Sequence, residues 1–271
     1  MALAFPLVFA HASACDDQAA VTFRVALHTN NADMHDATGR TMPTATQERI
    51  SVAEFFDQRY SLERHYWWRE DYRYATDPNL HASSLITQMT LRLLGESSGR
   101  PATPPLRALD LGAGEGADAI RLALLGYDVD AVEVSEIGAK KIVEFAADAG
   151  VHVNVQAADI RSYRAHGEYD VVLCNGVLHY IEDKASVVEA MQCVTRAGGL
   201  NVISLWSTYT PVPRWHEKVP VFCDDEDGVV RKLYQDWKTE LMYFERAKRE
   251  SAHSEMPDHT HSHIKLIARK A

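Results

Sequence analysis

The chain has 271 residues, 46% of them hydrophobic and 24% charged, enough apolar material for one sizeable core. Lys and Arg number 28 against 38 Asp and Glu, and the formal charge of −10 argues against long-range attraction to nucleic acid or an anionic membrane. Cys15, Cys174, Cys193 and Cys223 are scattered without a CxxC pair, which suits a reduced, cytoplasmic setting, and no apolar run reaches the length of a spanning helix.

In chain order, MALAFPLVFAHASAC imitates a secretory cleavage region, but no Lys or Arg precedes its apolar stretch and Pro6 interrupts it. A disordered leader or an over-extended start, with Met34 or Met42 as alternative beginnings, fits these residues better. Residues 1–48 have no sustained period and are expected to form a loosely ordered arm. Residues 49–105 are expected to form a helical lid section. It comprises aromatic-rich short helices over Ser51–Tyr74, then a helix capped by Ser83 or Ser84 in which Leu85, Met89 and Leu93 recur every four residues. The Gly, Ser and Pro of residues 95–105 read as a linker.

Residues 106–271 then alternate. Strands are expected at Leu106–Leu111, Val129–Val134, Val151–Gln156, Asp170–Cys174 and Leu200–Trp206, with helices at Ala117–Leu125, Glu136–Ala149 and Lys184–Arg196. This order means an α/β fold: a doubly wound, Rossmann-like, mostly parallel sheet that binds its ligand beyond the carboxyl ends of the strands. The final third breaks the pattern with a helix over Glu226–Trp237 and strands at Thr239–Arg246 and Ile264–Arg269, joined by a polar, His-rich turn. One of those last two strands must run antiparallel to the rest.

The strongest chemical signal is ALDLGAGEGADA, residues 108–119, in which an apolar strand enters Gly112, Gly114 and Gly116 and then a helix. Such a turn lets backbone approach a ligand and presents unbonded amides. Glu133 follows 21 residues after Gly112, where a carboxylate can accept both hydroxyls of a ribose. Asp110, Glu115 and Asp159 make the region acidic. A diphosphate would be repelled there, whereas S-adenosylmethionine, with a sulfonium, an ammonium and no phosphate, suits it.

LDLGAGEG, Glu133, Asp159 with Ile160, EYDVVLCNGVLHYIED and RAGGLNVISLW stand in the order and spacing of class I S-adenosylmethionine-dependent methyltransferases, which residues 106–206 resemble. The tail, VPVFCDDEDGVVRKLYQDW followed by HIKLIARK, is similar to the tellurite-resistance branch of that superfamily. Ala113 replaces a common Cys and Ala197 a common Pro, both small changes. The resemblance implies that Gly112, Ala113 and Gly114 line the methionine part of the cofactor, with Asp110 near its ammonium. It implies Glu133 on the ribose, Asp159 on the adenine amino group, Val134 and Ile160 against the ring, and Asn175 and Gly176 at the amino-acid end.

Asn175, His179 and Tyr180 are the candidate catalytic residues, the last two as plausible proton carriers. Tyr60, Trp68 and Tyr72 are expected in an aromatic lid and Trp206 at the border of a substrate pocket, where aromatic faces attract a sulfonium. His253, His259, His261 and His263 are expected in a solvated hairpin and not at a metal, because no carboxylate or Cys is placed beside them by the sequence. The expected function is in-line methyl transfer to a small-molecule acceptor, with no nucleic-acid or membrane partner. The alternatives are ring closure of the cofactor to azetidine-2-carboxylate and methylthioadenosine, similar to azetidine-forming synthases, and a binding module without catalysis.

Overall fold

Alternation along the strands decides the architecture. A computed structural model describes residues 49–66, 89, 90, 92, 93, 105–250, 252 and 256–271. Trp68, Tyr72, His253, the expected cap at Ser83 or Ser84 and the arm of residues 1–48 lie outside the described residues. On β1 (Arg107–Leu111), Ala108 packs with Val129, Ala131 and Val171 under Ile120, Ile142 and Phe145, while Leu109 and Leu111 pack with Val172 and Cys174 under Val188, Met191 and Tyr234. Period-two side chains therefore feed two apolar layers, one on each face of the sheet. Each fully buried aliphatic side chain contributes about 1.5–3 kcal/mol, which is what holds the platform rigid beneath its loops.

The sheet has the order β3-β2-β1-β4-β5-β7-β6. Strands β2 (Asp128–Glu133), β3 (Asn154–Ala157), β4 (Tyr169–Asn175) and β5 (Thr195–Trp206) run parallel to β1. Strand β7 (His259–Arg269) pairs antiparallel with β5, and the edge strand β6 (Lys238–Glu250) antiparallel with β7. The order reverses between β1 and β4, which is where doubly wound sheets open a crevice.

Helices α2 (Ala117–Leu124) and α3 (Glu136–Asp148) cover one face, and α4 (Lys184–Val194) and α5 (Val229–Leu233) the other. Ahead of them α1 (Val52–Tyr60) is capped by Ser51, whose side chain accepts from the Glu54 N–H. Met89 and Leu93 pack against the α2–α3 layer. Among the described residues no helix is long and apolar enough to cross a membrane.

Several expected boundaries move for local reasons. The Val151 N–H closes the end of α3 on the Ala146 carbonyl, so β3 starts only at Asn154. Helix α4 stops at Val194 because Thr195 already begins β5, its hydroxyl donating to the Met191 carbonyl. The expected helix over Glu226–Trp237 shrinks to α5, whose start is set by Asp224 accepting from the Val229 and Val230 N–H groups. The largest correction concerns the His-rich stretch: residues 259–263 are strand, continuous with the rest of β7, and His261 is buried.

Candidate active site

The glycine turn is built by close approach. Gly112 has φ +74°, and a Cβ there would lie 2.3 Å from Val177 Cγ2, so the turns after β1 and β4 touch at a place that admits only glycine. The Gly112 and Ala113 N–H groups donate to the Val132 carbonyl, and the Gly114 N–H donates to Glu133 Oε2 at 2.8 Å. The other carboxyl oxygen of Glu133 accepts from the Ser135 N–H at 2.9 Å. Burial pushes this carboxyl up to about 7, against the opposing pull of those two N–H groups.

The same corner anchors α1. Ser135 caps α3 by accepting from the Gly138 N–H and donates to Asp57 Oδ1 at 2.5 Å, and Asp57 also accepts from the Ile137 N–H. A carboxylate on α1 thus sits at the positive end of α3, which clamps α1 over the strand ends. Phe55 faces inward against Val219, and Phe56 and Tyr60 stack at 5.6 Å.

Beneath α1 lies a cavity of about 700 Å³ along the carboxyl edge of the sheet. Gly112, Ala113, Gly114, Glu133, Val134, Asp159, Ile160, Asn175 and Gly176 line one half. Phe56, Tyr60, His179, Tyr180 and Trp206 line the other, which continues to His216, Glu250, His261 and His263. Fourteen residues singled out in the sequence are therefore gathered or adjacent, with one amendment. Asp110 is buried at the end of β1, directly before the turn, and is not among the residues that line the cavity. Its Oδ2 has no hydrogen-bond partner, and burial beside Asp118 and Glu133 holds its pKa well above the usual carboxylate range.

The electrostatics also differ from the simple acidic loop. Glu115 is paired with Lys141 at 2.7 Å and accepts from the Tyr66 N–H, so its charge is spent within the protein. Asp159 is gripped by Arg161 through both oxygens, which holds its pKa below the usual range. A carboxylate has about four acceptor positions, so room for a further donor remains. Among the described lining residues Arg161 is the one Lys or Arg, against Glu115, Glu133, Asp159, Glu182 and Glu250. That preponderance of acidic groups on the wall fits a cationic ligand carrying a ribose and does not fit a diphosphate.

The two expected proton carriers sit in unexpected states. His179 stacks on Trp206 at 4.2 Å, and its Nδ1 accepts the Trp206 N–H. Burial, reinforced by the neighbouring imidazoles, drives its pKa well below the ordinary value. The Tyr180 hydroxyl and His216 Nδ1 share a hydrogen bond at 3.1 Å, and burial raises the phenol far above its usual range. His216 is likewise depressed to about 3 by burial. Both candidates are better suited to hold groups in place than to exchange protons. His216, Glu250 and the cavity-facing histidines of β7 were missed as wall residues; the alternation of His259, His261 and His263 was the visible signal, and the missing part was the carboxylate on the partner strand.

Residues 100–265 match the family model described as tellurite resistance protein TehB. The chain belongs to the TehB family. It is similar to hemagglutinin 1 of Eikenella corrodens (31% identity, 53% of this chain and 47% of that one) and to the ubiquinone biosynthesis O-methyltransferase of Bordetella pertussis (29%, 58% and 64%). The matches thus span about half to two thirds of the length of these curated relatives. Among solved structures it is similar to TehB from Haemophilus influenzae (TM-score 0.58, 21% identity, 73% and 66% covered). It is also similar to magnesium protoporphyrin IX methyltransferase from Synechocystis with bound SAM (TM-score 0.50, 17% identity, 81% and 95%). The fold is that of the class I methyltransferases, and the cofactor of this TehB-type branch is S-adenosylmethionine.

Proposed function

We propose that this protein transfers a methyl group from S-adenosylmethionine to a small, already deprotonated or soft nucleophile by in-line displacement. One observation carries this: the cavity runs past the Glu133 corner to Trp206, His216 and His261, while the imidazoles on that wall are held neutral and poorly basic. Space for a second molecule is present, and a strong protein base is absent among the described lining residues. An acceptor that needs no base fits that wall.

When bound, S-adenosylmethionine supplies an electrophilic methyl carbon on a sulfonium. The Gly112–Gly114 backbone would lie along its methionine part, Glu133 would accept from the ribose hydroxyls, and Asp159 would accept from the adenine amino group between Val134 and Ile160. Asn175, held by its amide donating to Asp118 Oδ2 at 3.0 Å, would border the amino-acid end beside Gly176. Phe56, Tyr60, Tyr180 and Trp206 exclude water and offer aromatic faces to positive charge. Tyr180 and His179 position the wall and leave the acceptor's proton to solvent. Orientation and water exclusion then account for rate enhancement, as effective molarity does in unimolecular models.

Ring closure of the cofactor to azetidine-2-carboxylate is the second reading, and Asn175 at the amino-acid end is the observation that favours it. Incubation with S-adenosylmethionine alone and then with thiolates, phenolates and tellurite, the compound of the family's name, separates the two. Acceptor-dependent S-adenosylhomocysteine supports methyl transfer. Methylthioadenosine formed without an acceptor overturns it, and cofactor binding without any product across the panel points to the binding module.

A further inference from the structure

The wall farthest from the glycine turn holds chemistry that methyl transfer does not use. Because β7 runs against β5, its first residues lie past the carboxyl ends of the parallel strands, three strands and roughly 14 Å from β1. Strand alternation puts His259, His261 and His263 on one face, and His261 and His263 line the cavity. Register with β6 sets Glu250 opposite His259, Lys248 opposite His261 and Glu245 opposite His263, with an irregularity between Glu245 and Lys248.

Glu250 Oε2 stands 3.3 Å from His259 Nε2 and 3.9 Å from His261 Nε2. These three donor atoms lie within 4.8 Å of one another. Two donors on one tetrahedral zinc, each about 2.0–2.1 Å from the metal, stand about 3.4 Å apart, so small side-chain rotations close the set. The surroundings hold the rings in place: Trp206 stacks on His261 at 4.8 Å, and Trp215 meets His259 edge-on at 4.7 Å. Lys248 pairs with the other oxygen of Glu250 at 2.6 Å, which leaves Oε2 turned to the imidazoles. Outer contacts that orient ligands in this way accompany metal sites generally.

We propose that Glu250, His259 and His261 bind one divalent transition-metal ion of the zinc or cobalt type, with a coordination position open to the cavity. Two imidazoles and one carboxylate with an open position is the donor set of a metal that engages a ligand and not of a closed structural site. The open position would take an anionic or soft donor such as a thiolate; that this donor is the methyl acceptor rests on the methyl-transfer reading, whereas the metal site does not.

The test uses the full chain without an affinity tag, stripped with chelator and titrated with Co²⁺ alone, then Zn²⁺, in the absence of S-adenosylmethionine. The expected result is one equivalent of Co²⁺ with the visible absorption of a low-coordinate site, displaced by Zn²⁺. Glu250→Gln and His261→Gln each remove a donor from the metal and weaken binding by more than the roughly 10–100-fold that loss of an outer contact costs, and His152→Gln, on the exposed side chain bonded to Asn154, leaves it unchanged. Absence of stoichiometric binding, or binding that Glu250→Gln and His261→Gln leave intact, overturns the proposal. Glu250 is at the end of β6, and Glu250→Gln decides the matter if His261→Gln unfolds. A separate S-adenosylmethionine titration reports on the cofactor corner, so loss of one binding event is distinguishable from loss of the other.

Discussion

Glu133→Gln tests the cofactor corner through stability before any acceptor is known. The wild-type carboxyl titrates near 4.5 when unfolded and near 7 when folded, because burial outweighs its two N–H bonds. A raised folded pKa means that the favourable contribution is fully present below pH 4.5 and is lost as pH rises through 7. Taken across that interval, ionising the buried group costs about 3 kcal/mol, most of which develops between about pH 5 and pH 8. Glutamine does not ionise. The amide forfeits one of the two acceptor positions, a loss of about 1–2 kcal/mol that is nearly constant with pH. Urea unfolding of both proteins at intervals from about pH 5 to pH 8 should therefore show their stability difference moving by about 2–3 kcal/mol in favour of the variant as pH rises. The variant should at the same time bind S-adenosylmethionine more weakly, by about 1.5–3 kcal/mol, and gain less protection from it. A difference that stays flat across the range would refute the assignment of a buried, high-pKa carboxyl to this corner.

Two further substitutions address neighbouring parts. Tyr180→Phe removes the hydroxyl bonded to His216 Nδ1 in a buried pair, and should lower stability by about 1–2 kcal/mol while kcat stays within about tenfold; a thousandfold fall, of about 4 kcal/mol, at unchanged KM would make Tyr180 a proton carrier after all. Lys141→Met leaves the fully buried Glu115 carboxylate without its cation and should cost about 3–5 kcal/mol in thermal or urea unfolding, most of it recovered when Glu115→Gln is added. No recovery in the double variant would show that Lys141 acts through its backbone contact to Glu63.

The parts of the fold that were legible are those in which one local signal had no competitor. The strand pattern of Leu106–Leu111 running into Gly112 marks a strand entering a tight turn, and Ser135 ahead of Glu136 marks a cap, and both appear as expected. The cofactor corner follows from them, since Glu133 and Asp159 are carried there by the ends of β2 and β3. The far wall of the cavity was illegible because its contacts join distant stretches: Tyr180 with His216, Trp206 with His261, Glu250 with His259. A run of polar histidines reads as a turn on hydropathy, whereas pairing with β6 makes it strand and Trp206 and Trp215 pack against its rings. The burial of Asp110 was also illegible, because its raised pKa comes from the surrounding apolar layer and from Asp118 and Glu133, which the fold brings beside it.

The reversal of β7 also bears on how such an enzyme diversifies. In the proposed reading the segment that would hold the nucleoside is encoded around residues 110–160, and the opposing wall by the β6–β7 hairpin around residues 238–269. Exchange of that hairpin would alter chemical selectivity while leaving the nucleoside grip intact, so directed libraries confined to β6 and β7 offer an economical route to new acceptors.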